Sequence, residues 1–135
     1  MRRTALPLAL LTAGLCAGCG SAREASARSA AEAFSTALAG TDTAAACRLL
    51  APTTRQQLES NAKTPCDQAV AQALQQGDLQ PGGAARATAA YGGQAQVREA
   101  ADTVFLSRFG NAWRVVAAGC QAQPGQPYEC EVQGQ

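Results

Sequence analysis

Ten carboxylates, two tyrosines and no histidine bound the chemistry open to this chain of 135 residues. Without histidine, general acid and base work falls to carboxylates and phenols, which leaves Asp78, Glu99, Asp102, Glu129, Tyr91 and Tyr128 as the groups able to serve. Asp102 opens a strand directly after Ala100-Ala101, where an aspartate is most often solvated or bonded to its own backbone. Ser107 has no base near it in sequence, G-x-S-x-G is absent, and no Gly-rich loop joins a strand to a helix. No residue is therefore assigned a catalytic role.

The elements that must position any site begin with the N-terminus. Met1-Arg2-Arg3 precedes an apolar run from about Ala5 to Ala17. A basic start followed by such a run is a secretory signal in physical terms, and the run is too short to cross roughly 30 Å of hydrocarbon as a stable helix. Leu15-Cys16-Ala17-Gly18-Cys19 resembles a lipobox, with Ala17, Gly18 and Cys19 in place and Cys16 where the pattern usually has leucine. The resemblance implies a signal peptide over 1–18 and a lipidated Cys19, and the small, polar and charged composition from Gly20 to about Ser26 makes 19–26 the lipidated N-terminus and linker. The chain is then expected outside the cytoplasmic membrane and attached to it by lipid.

Of six cysteines, Cys16 leaves with the signal and Cys19 carries lipid, so Cys47, Cys66, Cys120 and Cys130 remain. An even number in an oxidising compartment predicts two disulfides with three connectivities. The sequential pairing, Cys47 with Cys66 and Cys120 with Cys130, is preferred because each bond would staple one local unit. No metal site or redox dithiol is expected, since these four lack C-x-x-C spacing and the chain has no histidine. No cofactor is expected.

Residues 19–135 carry nine cations against ten acids, and the cations stand singly from Arg28 to Arg114. A nucleic-acid partner would ask for a basic stripe, so none is expected. Ala27, Ala30, Phe34, Ala37 and Leu38 share a helical face before Gly40. A second helix is expected over Ala44 to Leu50, capped by Thr41 or Thr43 and ended by Pro52, with a further turn or two from Thr53 to Leu58. Thr64 as N-cap and Pro65 as first helical residue predict a third helix that buries Cys66, Val70, Ala73 and Leu74 and stops near Gly77.

After Pro81-Gly82-Gly83 the pattern turns to strands: Arg86 to Tyr91, Gln94 to Glu99, Asp102 to Phe109, Trp113 to Ala118 and Tyr128 to Val132. A hairpin turn at Gly110-Asn111 would set Arg108 opposite Trp113 and put Val104, Leu106, Trp113, Val115 and Ala117 on one face. Phe105, Val116 and Phe109 fall on the other, so the central pair asks to be covered on both sides. Phe105, Arg108, Trp113 and Tyr128 are the candidate pocket residues.

Helices followed by a bent antiparallel sheet resemble the nuclear transport factor 2-like cone from about Ala27 to Val132. The runs 102–109, 113–120 and 127–130, ending in Gly119-Cys120 and Pro127-Tyr128-Glu129-Cys130, resemble the closing half of small actinobacterial lipoproteins of unassigned function. These resemblances imply one α+β domain over 27–133, three N-terminal helices packed on a curved antiparallel β-sheet, with anchor and disulfides but no catalytic residue. The expected function is a lipid-anchored extracytoplasmic accessory or binding domain, with the membrane and either a small apolar ligand or an envelope protein as partners. The alternatives are an enzyme of the SnoaL-like cyclase or isomerase type, and a scaffold that docks another envelope protein.

Overall fold

A computed structural model describes residues 18–134. The apolar run ahead of Cys19, and the Cys19 side chain itself, lie outside the described residues. Four helices precede five strands: α1 Gly18–Ala39, α2 Thr43–Leu49, α3 Pro52–Ala62, α4 Cys66–Gln76, then β1 Ala85–Tyr91, β2 Gln94–Glu99, β3 Thr103–Phe109, β4 Ala112–Gln123 and β5 Gln126–Gln133. The fold is α+β, with one antiparallel sheet in the order β1-β2-β3-β4-β5.

Four helices stand where three were expected, because Pro52 does not merely stop α2. It occupies the first turn of α3, where its missing N–H costs nothing, and the Thr53 to Leu58 segment is the body of that helix. The cap of α2 is Asp42, whose carboxylate accepts from the Ala45 N–H at 2.9 Å, in place of Thr41 or Thr43. Thr64 is not the cap of α4 either. Pro65 holds that position, the Thr64 hydroxyl is buried without a partner, and the Cys66 N–H donates to Glu59 Oε1 of α3 at 3.1 Å. At the other end Gly77, with φ of 78°, closes α4 in the left-handed conformation.

Residues 20–26, expected as part of a linker, form the first turns of α1. Small side chains let α1 lie close to the sheet, with Ala27 and Ala31 buried beside Phe34, Ala37 and Leu38. The opposing sheet face supplies Val97, Val104, Leu106, Trp113 and Val115. Phe109 pairs with Ala112 and Arg108 with Trp113, as the hairpin spacing predicts. A bulge gives β4 an extra residue between the partners of Phe105 and Leu106, which bends the sheet. Its outer face is left partly open: Phe105 is half-buried and Phe109 exposed, so the expected cover on both sides is incomplete.

Both disulfides follow the sequential pairing. Cys47–Cys66 joins α2 to the first residue of α4. Cys120–Cys130 links residues that face each other across β4 and β5. Each closes a short loop, which in the chain-entropy view stabilises by about 3 kcal/mol, and such bonds persist in oxidising, extracytoplasmic surroundings. Among the described residues no helix is long and apolar enough to cross a membrane.

Candidate functional site

The first half of β4 lacks a β5 partner, because β5 pairs with β4 only from Ala117 onward. The link between α2 and α3 fills that edge. Leu50 bridges Val115 in parallel, the Ala51 N–H donates to Val115 O at 2.8 Å, and buried Thr54 donates its hydroxyl to Val116 O at 3.1 Å. This docking satisfies the Val115 carbonyl, which would otherwise lie open, and adds a second donor to Val116 O, which also accepts from Gly134 N–H at 3.0 Å. It also sets the ends of α2 and α3 beside the outward-facing side chain of Arg114.

An open groove of about 900 Å³ results, lined by Arg48 of α2, Arg55 of α3 and Arg114 of β4 over Ala45, Leu49, Leu50 and Pro52. The Arg114 guanidinium donates to the Arg48 carbonyl, so it is held in place. Arg55 lies 3.2 Å from Glu59 Oε1, and that same oxygen takes the Cys66 N–H. Glu59 is the one carboxylate in the lining, so the walls carry an excess of two positive charges. Guanidinium groups beside an apolar floor can bind a carboxylate or phosphate in fork geometry. Sequence reading missed this site because seven and 59 positions separate its arginines; only the α2 to α3 link, run along β4, unites them.

The candidate pocket of Phe105, Arg108, Trp113 and Tyr128 divides in two. Phe105 and Tyr128 meet on the outer face, edge to face with centroids 5.1 Å apart. Gln96 Nε2 donates to the Tyr128 hydroxyl at 3.1 Å, so that hydroxyl is bonded to protein and Tyr128 is half-buried. A shallow cavity there is lined by Ala87, Ala89, Gln96, Arg98 and Tyr128. Arg108 and Trp113 stand on the helix-facing side, with the guanidinium carbon 6.0 Å from the ring centroid, within cation–π range. Trp113 itself is buried and donates its indole N–H to Ser26 Oγ.

The carboxylates also separate by role. Asp102 is bonded to backbone, as its position after a turn predicts, but over a longer reach. Its Oδ1 accepts from Thr103 and Cys120 N–H at 2.6 and 2.8 Å, and its Oδ2 from Gly119 N–H at 2.9 Å. Burial raises its pKa against the lowering effect of these bonds. Glu99 is 6% exposed, and neither carboxylate oxygen has a partner. Burial, then the nearby charges of Asp102 and Glu32, push its pKa up to about 8. Gly82 presses on it: a Cβ at that position would stand 1.6 Å from Glu99 Oε2. Gly82 is thus a close-approach glycine, whereas Gly92-Gly93 serves as hairpin punctuation.

The period of two along β2 carries the signal for Glu99, since Ala95, Val97 and Glu99 share a face and all three are buried. Asp78 lies beside Asp102 and Glu131 around a small polar cavity, while Glu129 is exposed and accepts from Gln123 Nε2. Among the described residues no cluster of three or more His, Cys, Asp or Glu is arranged to hold a metal ion. Compared with models of protein families, with curated proteins and with solved structures, the chain matches none of them.

Proposed function

We propose that this chain is a lipid-anchored extracytoplasmic binding domain of the nuclear transport factor 2-like type, which holds an amphiphilic organic anion in the groove of Arg48, Arg55 and Arg114. The observation that carries the reading is one open groove lined by Arg48, Arg55 and Arg114, from α2, α3 and β4, over an apolar floor. A ligand with a phosphate or carboxylate head and an apolar body satisfies both surfaces. The cationic walls favour such an anion over the purely apolar ligand that the sequence suggested. Support for the anchor comes from Leu15 to Cys19 and from the two disulfides. Support for the fold type comes from the order of helices before a bulged, bent meander.

Calorimetric titration of the detergent-solubilised chain with hexyl phosphate and with inorganic phosphate tests the binding reading. Saturable one-to-one binding is expected, tighter for hexyl phosphate, and weakened at least about tenfold by Arg48→Ala or Arg55→Ala, as loss of a charge-assisted fork requires. Both arginines are exposed, so an unchanged melting temperature checks that the variants fold. Equal heats from the parent chain and both variants would overturn the assignment of this groove.

A further inference from the structure

We propose that the end of the domain formed by the β1–β2 and β3–β4 hairpin tips rests on the bilayer surface, with Tyr91 and Phe109 in its headgroup region. This inference rests on the lipid-anchored reading and adds an orientation to it. Tyr91, 81% exposed, and Phe109, 44% exposed, are the large hydrophobic side chains left open among the described residues. Each stands next to a two-residue turn, Gly92-Gly93 and Gly110-Asn111. The Arg108 N–H donates to Gly93 O at 2.8 Å, so the two tips are neighbours at one end of the sheet.

The anchor arrives at that same end. Trp113 stands one residue past the start of β4 and bonds Ser26 at 2.9 Å. Ser26 is seven residues after Cys19 in one continuous helix, about 10 Å of rise. From Ser26, α1 runs toward the opposite end of β1, where Ser35 Oγ accepts from Gly83 N–H at 2.8 Å. α1 thus starts on the β4 side near the tips and crosses to the start of β1, where Arg28 already reaches Ala85 O, and a lipid on Cys19, seven residues before Ser26, would tether the domain on the Trp113 side.

Charge agrees with the direction. Exposed Arg108 stands beside the β3–β4 tip, and exposed Arg23 lies in α1 three residues ahead of Ser26, next to half-buried Glu24. The far end carries Asp78, Asp102, Glu129 and Glu131 against Arg86, Arg98 and Arg28, whose guanidinium reaches Ala85 O. Cations are drawn to an anionic leaflet, and tyrosine favours the membrane–water boundary because its ring is apolar and its hydroxyl wet.

The test uses the full lipid-modified chain in vesicles of phosphatidylcholine and phosphatidylglycerol that contain lipids brominated near the upper acyl chain. Tyr91→Trp, Phe109→Trp and, at the far end, Gln121→Trp are compared with the parent, whose Trp113 sets the background. All three sites are exposed, so the substitutions leave the core alone. The added emission at 91 and 109 is expected to fall about twofold or more, as for an indole at interfacial depth, and that at 121 to stay unchanged. A chain that floats with the vesicles but shows no quenching at 91 and 109, or equal quenching at 121, overturns the orientation and leaves the tips to a protein partner. A chain that does not float with the vesicles overturns the anchored reading itself.

Discussion

The indole N–H of Trp113 donates to the hydroxyl of Ser26 at 2.9 Å, across 87 positions of sequence. One bond thus ties the first residues of β4 to the third turn of α1. The segment that composition marks as a linker is thereby part of the fold, because a buried indole needs an acceptor and α1 provides it.

Ser26→Ala removes that acceptor while leaving a good helix former in place. The exposed position of Ser26 lets water take over part of the bond, so the expected loss is about 1 kcal/mol. Denaturant titration should show it as a lower midpoint with an unchanged slope. Emission from Trp113, the sole tryptophan, should shift toward the red. Identical midpoints would show that the bond adds nothing to the hold of α1 on the sheet.

The meander was legible because its signals are local. The strands of β1 to β5 alternate or run between glycine and proline punctuation, and Gly110-Asn111 fixes the register that sets Arg108 beside Trp113. The disulfides were legible for the same reason, each bond lying inside one supersecondary unit. What was not legible depends on distant partners. The cap of α4 comes from Glu59 on the helix before it, so Thr64 reads as the cap when it is not. Pro52 reads as a stop because only the docking of Leu50 and Ala51 on Val115 decides that a new helix begins there. The arginine groove is a product of that same docking, and no spacing in the sequence announces it.

Glu99 predicts a pH profile. Its folded pKa is raised from 4.5 to about 8, so the folded chain binds this proton more tightly than the unfolded one. The stability it contributes is full below the unfolded value, falls as pH rises from about 4.5 to about 8, and is lost above that. The drop should be on the order of 3 kcal/mol, given 1.4 kcal/mol per unit and some relaxation of a buried carboxylate. Melting temperature measured across that range should therefore decline in the parent and stay nearly level in Glu99→Gln. Gly82→Ala should remove the decline too, since its Cβ would meet Glu99 Oε2 at 1.6 Å and the carboxyl carbon at 2.7 Å, and it should cost about 1–3 kcal/mol through overpacking. A level profile in the parent would mean that Glu99 reaches solvent.

Asp102 and Glu99 share a turn, closed by the Glu99 N–H donating to Asp102 O at 2.8 Å, and the two carboxylates influence each other. Asp102→Asn tests both roles of Asp102 at once. An amide can still accept from Thr103 and Cys120 through its oxygen, but its NH₂ would then face the Gly119 N–H that Oδ2 now accepts. Two donors without an acceptor cost about 2 kcal/mol in a half-buried place. Gly119 cannot escape easily: its φ of 67° is held on β4, and Glu131 Cβ and Asp78 O crowd the space beside it. Hydrogen exchange at the Gly119 amide should accelerate, while protection of the β2–β3 ladder persists. The second role is electrostatic, because the charge of Asp102 is the second cause of the raised pKa of Glu99. Without that charge the fall in stability should still begin near the unfolded value and end at lower pH. A variant that loses stability but keeps the parent's pH window would show that Asp102 holds the β4 bend without acting on Glu99.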